Sequence, residues 1–118
     1  MKYDLESRLI EFSVQIIALV EAMPSSKAAN HLAGQLLRSG TSPALNYAEA
    51  QGGESKNDFI HKIKIVLKEL RETQVCLKII HKAKLFKSED ELNMVLKEAA
   101  ELVAIFAKSA KTAESSRS

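Results

Sequence analysis

Cysteine is almost missing from this sequence: Cys76 stands alone, so no internal disulfide can form and a disulfide-stapled secreted scaffold is excluded. A lone thiol fits a reducing compartment, and the expected location is the cytoplasm. Proline and glycine are scarce as well, 2 and 4 in 118 residues, which excludes collagen-like chains and flexible linkers. Two Tyr, four Phe and no Trp leave little material for stacking on bases. No run approaches the roughly 18 consecutive apolar residues of a membrane span. The opening Met1-Lys2-Tyr3-Asp4-Leu5-Glu6 has acids where a signal peptide carries its apolar stretch. Neither export nor membrane insertion is expected.

What is present reads as one helical domain over residues 1–118. Hydrophobic residues make up 46% of the chain, enough for a core at this length without a metal or a staple. The few turn signals fall at three places. Pro24 disfavours helical geometry at Met23, and a serine just after it can cap a new helix. Gly52-Gly53 can end a helix, and Ser55 with Asp58 three residues on opens the next. Ser88 and Glu91 form a capping box, with Glu89, Asp90 and Glu91 complementing the positive end of the helix dipole. Three breaks make four segments, expected as helices over about 5–23, 26–50, 55–84 and 88–112. The tail over 112–118 is expected to fray.

Each segment has helical spacing and none has sustained strand alternation. Leu5, Leu9, Phe12, Ile16, Leu19 and Met23 step by fours and threes, as do Leu92, Val95, Ala99, Leu102, Phe106 and Ala110. Short connections force neighbouring helices antiparallel, so the expected fold is all-α, an up-down-up-down four-helix bundle. The second helix contains Arg38-Ser39-Gly40-Thr41-Ser42-Pro43, read as a kink or a point of close packing near 39–43. It lacks the lysine and spacing of a phosphate-binding loop.

The third segment carries three different faces. Phe59, Ile63, Val66, Leu70 and Leu77, with Ile60 and Leu67 at the margin, mark the core side. A second apolar line, Ile65, Cys76 and Ile79, either extends a contact within the chain or forms a subunit interface. The remaining face is basic: Lys64, Lys68, Arg71, Lys78 and Lys82 follow by four, three, seven and four, with His61 one turn earlier. Residues 56–87 carry a net charge of +6 and the rest of the chain −4, against a total of +2. From Lys64 to Lys82 the stripe is about 27 Å long, matching several nucleotides of phosphate backbone. Such a stripe is either a solvated helix face or a site for RNA or DNA, bound through phosphates with little sequence preference.

Catalysis is not indicated. A carboxylate-bridged metal pair in a bundle needs Glu-x-x-His on two helices, and none of His31, His61 or His81 follows a Glu by three. Cys76 has no evident base beside it and reads as a packed thiol. Arg38, Asn46, Glu49, Glu69 and Glu72 read as a hydrogen-bonded or ionic group that sets helix register. No metal or other cofactor is expected.

The run Gln35-Leu36-Leu37-Arg38-Ser39-Gly40-Thr41-Ser42-Pro43-Ala44-Leu45-Asn46-Tyr47-Ala48-Glu49-Ala50 is followed by Glu54-Ser55-Lys56 and Asp58-Phe59-Ile60-His61-Lys62. With Leu67-Lys68-Glu69-Leu70-Arg71-Glu72-Thr73, it resembles the bacterial four-helix-bundle family named after proteins encoded in intervening sequences of large-subunit ribosomal RNA genes. The resemblance spans about Tyr3 to Lys111. It implies a left-handed antiparallel bundle, a ring-like homopentamer and no established enzymatic activity; the ribosomal name reflects gene location. The residues matching the family motif are Arg38, Ser42, Asn46, Glu49, Ser55, Phe59, Glu69 and Glu72, carried over as structural. The resulting expectation is a non-enzymatic homo-oligomer that binds nucleic acid through the basic stripe. The alternative is an adaptor ring that recruits a partner enzyme.

Overall fold

The computed structural model describes residues 4–53 and 55–116. Glu54 of the quoted motif, the segment start at Tyr3, and Arg117 and Ser118 of the expected fraying tail lie outside the described residues. Four helices account for most of the chain: α1 (Leu5–Glu21), α2 (Lys27–Gln51), α3 (Lys56–Lys82) and α4 (Glu89–Ser115). There is no strand among the described residues.

Each helix begins where a short polar side chain can accept a free backbone N–H. Ser26, Ser55 and Ser88 accept from the amides of Ala29, Asp58 and Glu91 at 3.1, 3.1 and 3.2 Å. Asp4, not singled out in the sequence, caps α1 by accepting from the Ser7 amide at 3.1 Å and its hydroxyl at 2.7 Å. Those bonds hold the Asp4 carboxyl below its usual range. Helix α1 stops at Glu21, short of the expected 23, because the residue before Pro24 is pushed away from helical geometry. Helix α4 runs past the expected 112 to Ser115.

The end of α3 lacks the usual glycine. Lys84 adopts a left-handed φ of 57°. Its amide donates to the His81 carbonyl at 3.2 Å, and the Leu85 amide reaches back to Ile80 at 3.0 Å. This is the paired bonding of a Schellman cap, made here by a residue with a Cβ.

Helix α2 continues unbroken through Pro43, which is buried. Gly40 is the point of closest approach to α1. A Cβ built there would lie 2.8 Å from both Cγ1 and Cγ2 of Ile16, a fully buried side chain. The Ser13 hydroxyl lies 3.4 Å from the Gly40 carbonyl across the same contact.

Consecutive helices pack side by side, and α4 returns against α1; α1 and α3 nowhere bring Cα atoms within 8 Å of each other. Pairings along α2 and α3 advance on one helix as they retreat on the other: Leu32 with Cys76, Arg38 with Glu69, Glu49 with Lys62. Lys56 at the start of α3 likewise reaches the Ser116 carbonyl beyond the end of α4, at 2.7 Å.

Leu9, Phe12, Ile16 and Leu19 of α1 and the whole expected apolar line of α4 are buried. On α3, Ile60, Ile63, Val66, Leu70 and Leu77 point inward as expected, joined by Thr73, Cys76 and Ile80. Phe59 departs from the expected core side: it lies in the first turn of α3 and is 37% exposed.

Two stability changes follow from these contacts. Gly40→Ala forces the Ile16 side chain aside and costs about 1–3 kcal/mol, the usual penalty for overpacking. In an Ile16→Ala background the same change costs much less, as a double-mutant cycle by thermal denaturation will read. Lys84→Gly removes the strain of a left-handed residue with a Cβ and stabilises by about 1 kcal/mol, seen as a raised Tm.

Candidate nucleic-acid interface

The outward face of α3 is set by what the helix buries. Glu69, 6% exposed, and Thr73, fully buried, both turn toward α2. The Arg38 guanidinium donates from Nη1 to both Glu69 carboxylate oxygens at 2.9 Å and from Nη2 to Glu72. The Glu69 carboxylate raises the pKa of Arg38 further, and Glu72 adds to it. One turn on, the Thr73 hydroxyl lies 2.9 Å from the Ser39 hydroxyl and 2.8 Å from the Glu69 carbonyl.

With that side buried, the opposite side meets solvent. Lys64, Lys68, Arg71, Lys78 and Lys82 are all exposed, as is His61. Lys64 lies 3.2 Å from Glu114 of α4. Lys68, Arg71, Lys78 and Lys82 have no carboxylate partner among the described residues. Lys62, on another face, is drawn to Glu49 at 2.5 Å. The cation row is not purely polar. Val75, 55% exposed, stands between Arg71 and Lys78, with Ile79 beside it at 47%. Sequence reading passed over Val75, although its spacing, four after Arg71 and three before Lys78, places it in the row.

The polar group expected to set register divides into three sets. Arg38, Glu69 and Glu72 come together. Ser42 and Asn46 bond within α2, the Asn46 amide donating to the Ser42 hydroxyl at 2.8 Å and carbonyl at 3.1 Å. Glu49 belongs with Lys62.

The second apolar line, Ile65, Cys76 and Ile79, divides: Cys76 takes the within-chain reading and is the packed thiol expected, not an interface residue. Cys76 is 6% exposed and its thiol donates toward the Leu32 carbonyl at 3.7 Å, so it packs against α2 and is not a surface residue. Ile65 is half-buried and Ile79 is exposed. Burial, then the Glu72 charge, pushes the Cys76 thiol up, the opposite of what a nucleophile needs.

No group of three or more His, Cys, Asp or Glu among the described residues could hold a metal ion. No helix of the described residues is long and apolar enough to cross a membrane.

A family model described as 23S rRNA-intervening sequence protein matches residues 2–108. Among solved structures, the chain is similar to a protein of unknown function from the S23 ribosomal protein family of Bacteroides thetaiotaomicron. The two are 26% identical, the match covers 92% of this chain and 99% of that one, and the TM-score is 0.79. No curated protein matches.

The Arg38–Glu69 contact makes an asymmetric prediction. Arg38→Met strands a buried carboxylate and lowers Tm by several degrees. Adding Glu69→Leu to that variant recovers most of the loss, because the stranded charge rather than the missing bond is what destabilises. Equal Tm for the single and double variants would show that Glu69 finds water instead.

Proposed function

The chain belongs to the 23S rRNA-intervening sequence protein family, and from that premise we propose a non-enzymatic, homo-oligomeric bundle that binds RNA or DNA by its phosphates. The bundle in this proposal is up-down-up-down and left-handed, the assembly is a pentamer, and the place of action is the cytoplasm. The observation that carries the binding is the row on α3: four of its five cations face solvent without a carboxylate partner among the described residues. The row from Lys68 to Lys82, about 21 Å long, is a field into which a phosphate backbone can lie. Several copies in one assembly would multiply it well beyond the subunit's +2. Affinity then comes from counterion release, so it falls steeply with salt and discriminates weakly between sequences.

The second reading is an adaptor that recruits a partner enzyme, favoured by the apolar Val75 and Ile79 exposed within the basic row. A protein partner retained on the purified chain after nuclease treatment would support it.

The test is charge reversal. Lys68→Glu with Arg71→Glu weakens binding to a single-stranded RNA oligomer at least about tenfold and flattens the dependence of log K on log salt by about 0.7 per lost phosphate contact. Fluorescence anisotropy over a KCl series reads both quantities. Lys97→Glu with Lys108→Glu on α4 is the control and leaves the slope near that of the unaltered chain. An unchanged slope in the α3 variant would overturn the proposal.

A further inference from the structure

All four helices expose large apolar residues; Leu37 and Leu45 of α2 and Met94 of α4 stand apart, whereas those of α1, and Val75 with Ile79 on α3, stand within a turn of one another. On α1, Ile10, Val14 and Ile17 are 50, 53 and 43% exposed. They follow by four and three, and Glu21 continues the same line four residues later, with Glu11 beside Val14. On α3, Arg71, Val75, Lys78 and Lys82 repeat the identical steps of four, three and four, with Ile79 next to Val75. One line is apolar and acidic, the other apolar and basic.

Their placement decides what can cover them. Because α1 and α3 lie diagonally across the bundle, the outer side of one is directed away from the outer side of the other. The two lines cannot meet within one chain, nor can one flat partner cover both. Each would repel a copy of itself, since glutamates would face glutamates and cations would face cations. Each suits the other: apolar centre on apolar centre, with Glu11 and Glu21 meeting Arg71, Lys78 and Lys82.

We infer that the α1 line of one subunit docks on the α3 line of a second copy of this chain, in a head-to-tail contact. Every subunit presents one face of each kind, so the contact repeats around an assembly until the ring closes. The inference rests on the homo-oligomeric part of the proposed function and adds the surfaces through which it is built. Arg71, Lys78 and Lys82 are then taken up by the neighbouring subunit, while Lys68, which has no carboxylate partner among the described residues, lies beyond the contact and stays open to a polyanion in the assembled form.

The test uses sedimentation of the full chain without nucleic acid. Val14→Asp and Val75→Asp each place a charge in the centre of one face, at residues more than half exposed, so folding is kept and circular dichroism checks it. The unaltered chain sediments at a multiple of 13.0 kDa. Each variant alone sediments as a single chain. An equimolar mixture forms a pair with one copy of each variant and nothing larger, because only one intact α1 line and one intact α3 line remain to meet. An unaltered chain that stays single overturns both this inference and the homo-oligomer reading. An assembled chain whose variants keep their mass, or whose mixture gives no pair or a larger species, overturns the head-to-tail contact alone.

Discussion

The rotation of α3 about its own axis is the constraint on which the surface of this protein depends, and it is held by polar contacts as much as by the core. Glu69 is buried only because Arg38 meets it from α2. Thr73, one turn on, is buried against Ser39. A carboxylate and a hydroxyl at that depth tolerate little rotation, since each would lose a partner it cannot replace with water. Apolar packing alone is more permissive, because aliphatic side chains repack with modest loss. With Glu69 and Thr73 turned toward α2, the far side of the helix has to carry Lys64, Lys68, Arg71 and Lys82 into solvent.

The same rotation explains the fate of individual residues. Cys76 shares its side with Glu69 and Thr73 and ends against the Leu32 carbonyl. Lys62 is carried toward α2 and taken by Glu49, which removes it from the outward field. Val75 and Ile79, two hydrophobes within a basic row, have no place in the core at this setting. At its Val75 end, where cations mix with exposed aliphatic side chains, the row suits a protein surface better than a bare phosphate track.

Much of the backbone was legible in the sequence, because its signals are local. Ser26, Ser55 and Ser88 cap helices through atoms three residues away, and the lines of α1 and α4 repeat with the helix itself. The end of α3 was not legible for the same physical reason reversed: Lys84 has no intrinsic preference for a left-handed φ, and it is held there by backbone bonds whose register depends on Leu85 reaching the core. The polar residues Arg38, Ser42, Asn46, Glu49, Glu69 and Glu72 could be singled out by type, but their division into three sets depends on distances between helices.

By itself the sequence determined four amphipathic helices, the N-caps of α2, α3 and α4 and a cluster of positive charge on the third, since each follows from residue spacing along one rod. Only the tertiary structure decided that Cys76 packs against α2, that Phe59 is partly outside and that Val75 stands among the cations. The physical reason is that a helix has a fixed period but no fixed zero of angle, and that zero is chosen by what α2 and α4 offer to its buried polar groups.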